Sequence, residues 1–176
     1  MMGDRESARS SAEKLQSLVP HHRYQPFAKV AEFRALYLDD RREEALALLA
    51  YPTIEDQTNL LFNLQRLLFA RELKIEDEKP QIIARSIHLA KEALHKGYAP
   101  HKTHYRLTLY QLFGGSRSAA MQSAKSAVIE GPYKGIIQYA GLCYLDQMEI
   151  PKTDKIRLLW EQHEAALHLP KEETNS

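Results

Sequence analysis

Residues 102–132 read KTHYRLTLYQLFGGSRSAAMQSAKSAVIEGP, and this stretch decides the fold class. It predicts a helix over 101–113, a turn at Gly114 and Gly115, and a second helix over 116–130. In the second helix Ala120, Ala124 and Ala127 recur at four and three residues, which places them on one face. Pro132 closes the unit, because a proline cannot continue a helix whose N–H it lacks.

The same punctuation extends in both directions. Pro80 suits the first turn of a helix in which Ile83, Ile87, Ala90 and Leu94 share a buried face, and Gly97 is placed to end it in a left-handed cap. Thr53, with Asp56 three residues on, predicts the start of one long helix carrying Leu60, Leu61, Leu64, Leu67 and Leu68, broken by the charged run 74–79. Phe27, Val30, Phe33, Leu36 and Tyr37 predict a helix from Pro26, and Ala45, Leu46, Leu48 and Leu49 a second from about Arg41 to Pro52. Downstream, helices are expected over 133–147 and 153–169, joined at Pro151. No stretch has the alternation and tight turns of a hairpin. The expected class is all-α, with about eight helices in four stacked antiparallel pairs. A single domain is expected over 25–170, with 1–24 an extension or loosely attached helix and 171–176 a flexible tail.

Pro52, Pro100, Pro132 and Pro170 end the four inferred pairs, and recurrence of this kind marks helical repeats. Leu107, Ala120, Ala124, Ala127 and Pro132 resemble the tetratricopeptide repeat, and Gly141, Leu142, Ala165 and Pro170 extend the likeness to the last pair. Ala124 stands where the family commonly has a bulky aromatic. The resemblance implies an α-solenoid, the first helix of each pair lining a concave surface. The matching inward positions are Lys102, Tyr105, Arg106 and Leu109 in one unit and Ile136, Tyr139 and Cys143 in the next. Tyrosine and arginine suit a binding hot spot, although Tyr105 and Tyr139 read equally well as core aromatics. Arg106 stands where carboxylate-clamp members of the family need Asn, so capture of a free peptide C-terminus is not expected.

The 176 residues are 44% hydrophobic and 27% charged, enough for a full core and too apolar for a disordered chain. Cys143 is the sole cysteine, which excludes an internal disulfide and a thiolate cluster and suits a reducing compartment. The first residues carry Asp4, Arg5, Glu6 and Arg9 with no apolar run behind them, and no stretch reaches the length of a membrane span. A soluble, cytoplasmic protein is expected.

His88, His95, His101 and His104 lack an accompanying carboxylate trio, and His163 and His168 are five apart, diverging by about 140° around a helix. Asp39, Asp40, Glu43 and Glu44 are interleaved with Arg41 and Arg42, as in a solvated helix start. Gly114, Gly115 and Ser116 lack the strand and Lys-Ser/Thr signature of a nucleotide loop, and nothing around Cys143 marks a nucleophile. No metal, cofactor or catalytic residue is expected.

Charge is uneven within a net of +1. Residues 79–143 hold nine Lys and Arg against two acidic residues, a local +7 that favours an acidic partner or a phosphate backbone. The sequence therefore points first to a non-enzymatic scaffold, adaptor or chaperone that holds a peptide or helix of another protein, in size and helix pairing like small secretion chaperones. The alternatives are an RNA- or other nucleic-acid-associated helical protein using the basic 79–143 block, and a metal-dependent enzyme.

Overall fold

A computed structural model describes residues 10, 13–14, 25–130 and 134–168, the side chains of 134–140 and 164–168 excepted. Nine α-helices are present among the described residues, and no strand. They are α1 (Gln25–Leu38), α2 (Arg42–Ala50), α3 (Ile54–Gln57), α4 (Leu60–Leu68), α5 (Lys79–His95), α6 (Pro100–Phe113), α7 (Arg117–Ile129), α8 (Lys134–Gln147) and α9 (Lys155–His168). A short 3-10 turn, Glu76–Glu78, precedes α5. The leading helix expected between Asp4 and Pro20, and the tail 171–176, lie almost wholly outside the described residues.

The chain divides into two compact units, one ending at Glu92 and the other beginning at Ala93. In the first, α1 packs on α2, α3 and α4, and α2 on α4. Its core joins Val30 and Phe33 of α1, Ala45 and Leu49 of α2, Phe62 of α4, and Phe69. Phe69 meets Phe33 and Tyr37 edge-on with centroids 4.9 and 5.1 Å away, and the Phe33 and Tyr37 rings are tilted against each other at 5.7 Å. Burying each phenyl ring contributes about 2 kcal/mol relative to leaving it in water. In the second unit α6 packs on α7 and α8 on α9, while α6 also meets α8 and α7 meets α9. Ala120, Ala124 and Ala127 of α7 are buried, as their spacing predicts.

Two expectations are corrected. The long helix expected from Thr53 is two helices. Thr53 and Asp56 do form the predicted capping box, but Asn59 then caps a new start: its Oδ1 accepts from the Phe62 N–H at 3.0 Å, while Asn63 Nδ2 donates to the Gln57 carbonyl at 2.9 Å. Asparagine side chains compete with the backbone ladder in this way, which ends a helix in mid-pattern. The buried stripe of α5 is also turned by one residue. Ile82, Ser86 and Ala90 are deepest, and Ile83, Ile87 and Leu94 flank it half-buried. Ser86 is drawn inward by Asn63, whose Nδ2 donates to its hydroxyl at 3.1 Å.

Five segments leave a helical turn through a left-handed residue: Asp40, Lys74, Gly97, Gly115 and Glu149, at φ of 62, 56, 71, 72 and 55°. In each, the next N–H reaches back five residues to a carbonyl, at 2.8–3.0 Å, satisfying groups that the helix end leaves bare. Gly97 is the predicted cap. Asp40, Lys74 and Glu149 hold the same conformation against a Cβ penalty of about 1 kcal/mol each. Glu149→Gly should therefore raise the melting temperature by roughly 2 °C, the relief of strain outweighing the added entropy of the unfolded chain. An unchanged or lowered melting temperature in a thermal scan would contradict this.

Candidate functional site

The residues expected to line a groove fall on α6 and α8. On α6, Lys102 is exposed and Arg106 half-exposed, whereas Tyr105 and Leu109 are buried, at 7% and 0%. The Tyr105 ring lies 5.5 Å from that of Trp160 on α9 and 6.4 Å from that of Tyr144 on α8, centroid to centroid. Tyr105 is thus a core aromatic, the reading the sequence left level with a groove. Cys143 is half-buried on α8. Ile136 and Tyr139 lie on the same helix, and their side chains fall outside the described residues.

Gly141 explains this packing. A Cβ there would stand 2.8 Å from Trp160 Cζ3 and 2.9 Å from Tyr105 Cε2, so the bare backbone of α8 is what admits both rings. Trp160 also reaches α7, its indole N–H donating to the Ala124 carbonyl at 3.4 Å.

His104, beside Tyr105 on α6, is largely buried and faces Glu130 at 3.8 Å. Its Nδ1 is buried with no hydrogen-bond partner among the described residues. Burial lowers its pKa below the ordinary 6.5, and the Glu130 carboxylate opposes that shift only in part. The folded chain therefore resists the proton that the unfolded chain accepts. Stability is full above about pH 6.5 and falls as pH drops through the folded value. In denaturant titrations at about pH 7 and about pH 5, His104→Gln should lose less stability on acidification than the parent. Equal losses would exclude His104 as the source.

The first unit carries an exposed apolar surface that lies outside the faces expected from the sequence. Tyr51, on the connection between α2 and α3, is 87% exposed, and Ile54, the first residue of α3, is 78% exposed. The turn that carries them is fixed, because the Thr53 hydroxyl accepts from the Asp56 N–H at 3.2 Å and the Asp56 carboxylate from the Thr53 N–H at 2.9 Å. Pro52, between them, lines a polar cleft of about 120 Å³ together with Gln57, Arg66, Gln81 and Arg85. Arg66 is 4% exposed; its Nε donates to the Leu49 carbonyl at 3.1 Å and its Nη2 to Glu78 at 3.0 Å. Arg85 donates to the neutral Gln57 side chain. The signal in the sequence was Tyr51 and Ile54 flanking a helix-terminating proline, outside any periodic face.

Elsewhere, Tyr98, Ile129 and Leu158 of the second unit are exposed at 66%, 80% and 40%. A larger cleft of about 470 Å³ opens between the start of α7 and the α8–α9 turn, where Arg117 pairs with Asp154. The acidic run near Asp39 is a solvated helix start: Arg41 binds Glu44 through Nε and Nη2 and holds its carboxyl below the usual range, and Arg42 lies 3.4 Å from Asp40. His88 is exposed beside Glu92. Among the described residues no group of three or more His, Cys, Asp or Glu is placed to hold a metal ion, and no helix is long and apolar enough to cross a membrane.

The class these features define is an all-helical protein, with solvent-facing apolar side chains on ordered turns. Comparison with family models, with curated proteins and with solved structures finds no match.

Proposed function

We propose that the chain is a non-enzymatic interaction scaffold, an adaptor or chaperone that holds a peptide or helix of another protein. The observation that carries this reading is Tyr51 and Ile54, two large apolar side chains held out in water on a capped turn beside a polar cleft. A turn already fixed loses little freedom when covered, and tyrosine is among the commonest binding hot spots. The stacking of α6 on α8 and of α7 on α9 supports a tetratricopeptide-like arrangement. The local +7 of residues 79–143 supports an acidic partner, and the lone Cys143 a reducing, cytoplasmic setting.

Panning a display library of linear peptides on the intact chain tests it. Selected peptides should bind about tenfold or more weakly to a Tyr51→Ser, Ile54→Ser double variant whose helical circular dichroism is unchanged. An unselective library, or peptides indifferent to both substitutions, would remove the basis for this surface.

A second reading, nucleic-acid association, is favoured by one feature. Tyr98 is exposed on the turn between α5 and α6, with His95, Lys96, His101 and Lys102 around it in sequence. A bare aromatic amid cations is the pattern on which unpaired bases stack.

A further inference from the structure

We infer that the cleft between Arg66 and Arg85 takes a carboxylate side chain from the bound segment, whose neighbouring apolar residue covers Tyr51 and Ile54. This rests on the scaffold reading and names the chemistry of the partner at that surface.

Two guanidinium groups line the cleft against one carboxylate, Glu78, leaving a local excess of one positive charge. Arg66 is fixed at the floor, its side chain 5% exposed, by the Leu49 carbonyl and by Glu78, which is itself 52% exposed. Arg85 stands at the rim and is exposed, and the hydrogen bond described for it goes to the neutral Gln57 amide. A guanidinium gains more from a carboxylate than from an amide, because a charged acceptor roughly doubles the bond and can take two N–H groups at once. An incoming carboxylate would therefore replace Gln57 on Arg85 with a stronger acceptor, and the freed Gln57 amide and that of Gln81 are further donors.

Size and surroundings point the same way. The cleft of about 120 Å³ has the volume of roughly four waters, enough for a carboxylate and its methylene. Pro52 and Ile82 form its apolar walls. Pro52 is bonded directly to Tyr51, so a residue next to the buried acid meets the exposed Tyr51 and Ile54 without a long linker. The occupant is thus a short segment with Asp or Glu beside a large aliphatic residue.

Amide and arginine Nε resonances of the isotope-labelled full chain, titrated with N-acetyl-Asp-Leu-amide and with N-acetyl-Asn-Leu-amide, test this. The Asp probe should give saturating shifts at Tyr51, Ile54 and Arg85, with an affinity about tenfold above that of the Asn probe. Arg85→Gln, on an exposed side chain, should abolish the difference and leave the spectrum otherwise folded. Equal affinities, non-saturating shifts, or a difference that survives Arg85→Gln would overturn the assignment. Panned peptides that need Tyr51 and Ile54 yet carry no acidic residue would sink the carboxylate site and leave the scaffold standing. A silent Asp probe together with an unselective library would sink both.

Discussion

Gly141→Ala should destabilise the second unit by about 3 kcal/mol, the largest effect expected of any single methyl group here. The added carbon would lie 2.8–2.9 Å from Trp160 and Tyr105, closer than non-bonded carbons approach. Neither ring has room to yield. Trp160 is 1% exposed and held to the Ala124 carbonyl, and Tyr105 is packed between Trp160 and Tyr144. Relief requires α8 to move away from α6 and α9, losing dispersion contacts along its length. Trp160 is the only tryptophan, so its fluorescence reports this unit directly. The denaturation midpoint followed by that signal should fall steeply. A change smaller than about 0.5 kcal/mol would mean that these helices are not so closely apposed.

Asp56→Ala should cost the first unit about the same, roughly 3 kcal/mol, for an electrostatic reason. Asp56 is fully buried. Its Oδ2 accepts from the Thr53 N–H and pairs with Lys29 of α1, so one carboxylate caps α3 and ties it to the helix beneath. Removing it leaves a donor and a partly buried ammonium without their partner. Asp56→Asn keeps a capping oxygen and loses only the charge, so about half the effect should remain. Hydrogen exchange over α1 and α3 distinguishes the two substitutions. Parent-like protection in Asp56→Asn would show that the ion pair contributes nothing, and equal loss in both variants would show that the capping oxygen contributes nothing.

The fold was legible where a side chain's role is set by its near neighbours in sequence. The Thr53–Asp56 box, Pro80 in the first turn of α5, Gly97 in its left-handed cap and the alanine face of α7 are all local chemistry, and each is found in place. The break at Asn59 was hidden because the leucine spacing runs on across it, and only the hydrogen bonds of Asn59 and Asn63 decide against continuity. The rotation of α5 depends on Ser86 meeting Asn63, residues 23 apart. Tyr105 could not be assigned from sequence because its burial depends on Gly141 and Trp160, which share no periodic relation with it. The cleft was illegible for a like reason: Pro52, Arg66 and Arg85 come from three separate segments.

In the proposed scaffold a protein segment is held through apolar contact and one buried charge. The direct measurement is fluorescence anisotropy of a panned peptide and of a mixed-sequence single-stranded RNA against the intact chain, at about 50 mM and about 300 mM salt. The peptide should bind at both, losing less than about tenfold in affinity, and should outcompete the RNA at the higher salt. RNA bound more tightly than any peptide, with affinity collapsing by orders of magnitude between the two conditions, would contradict it.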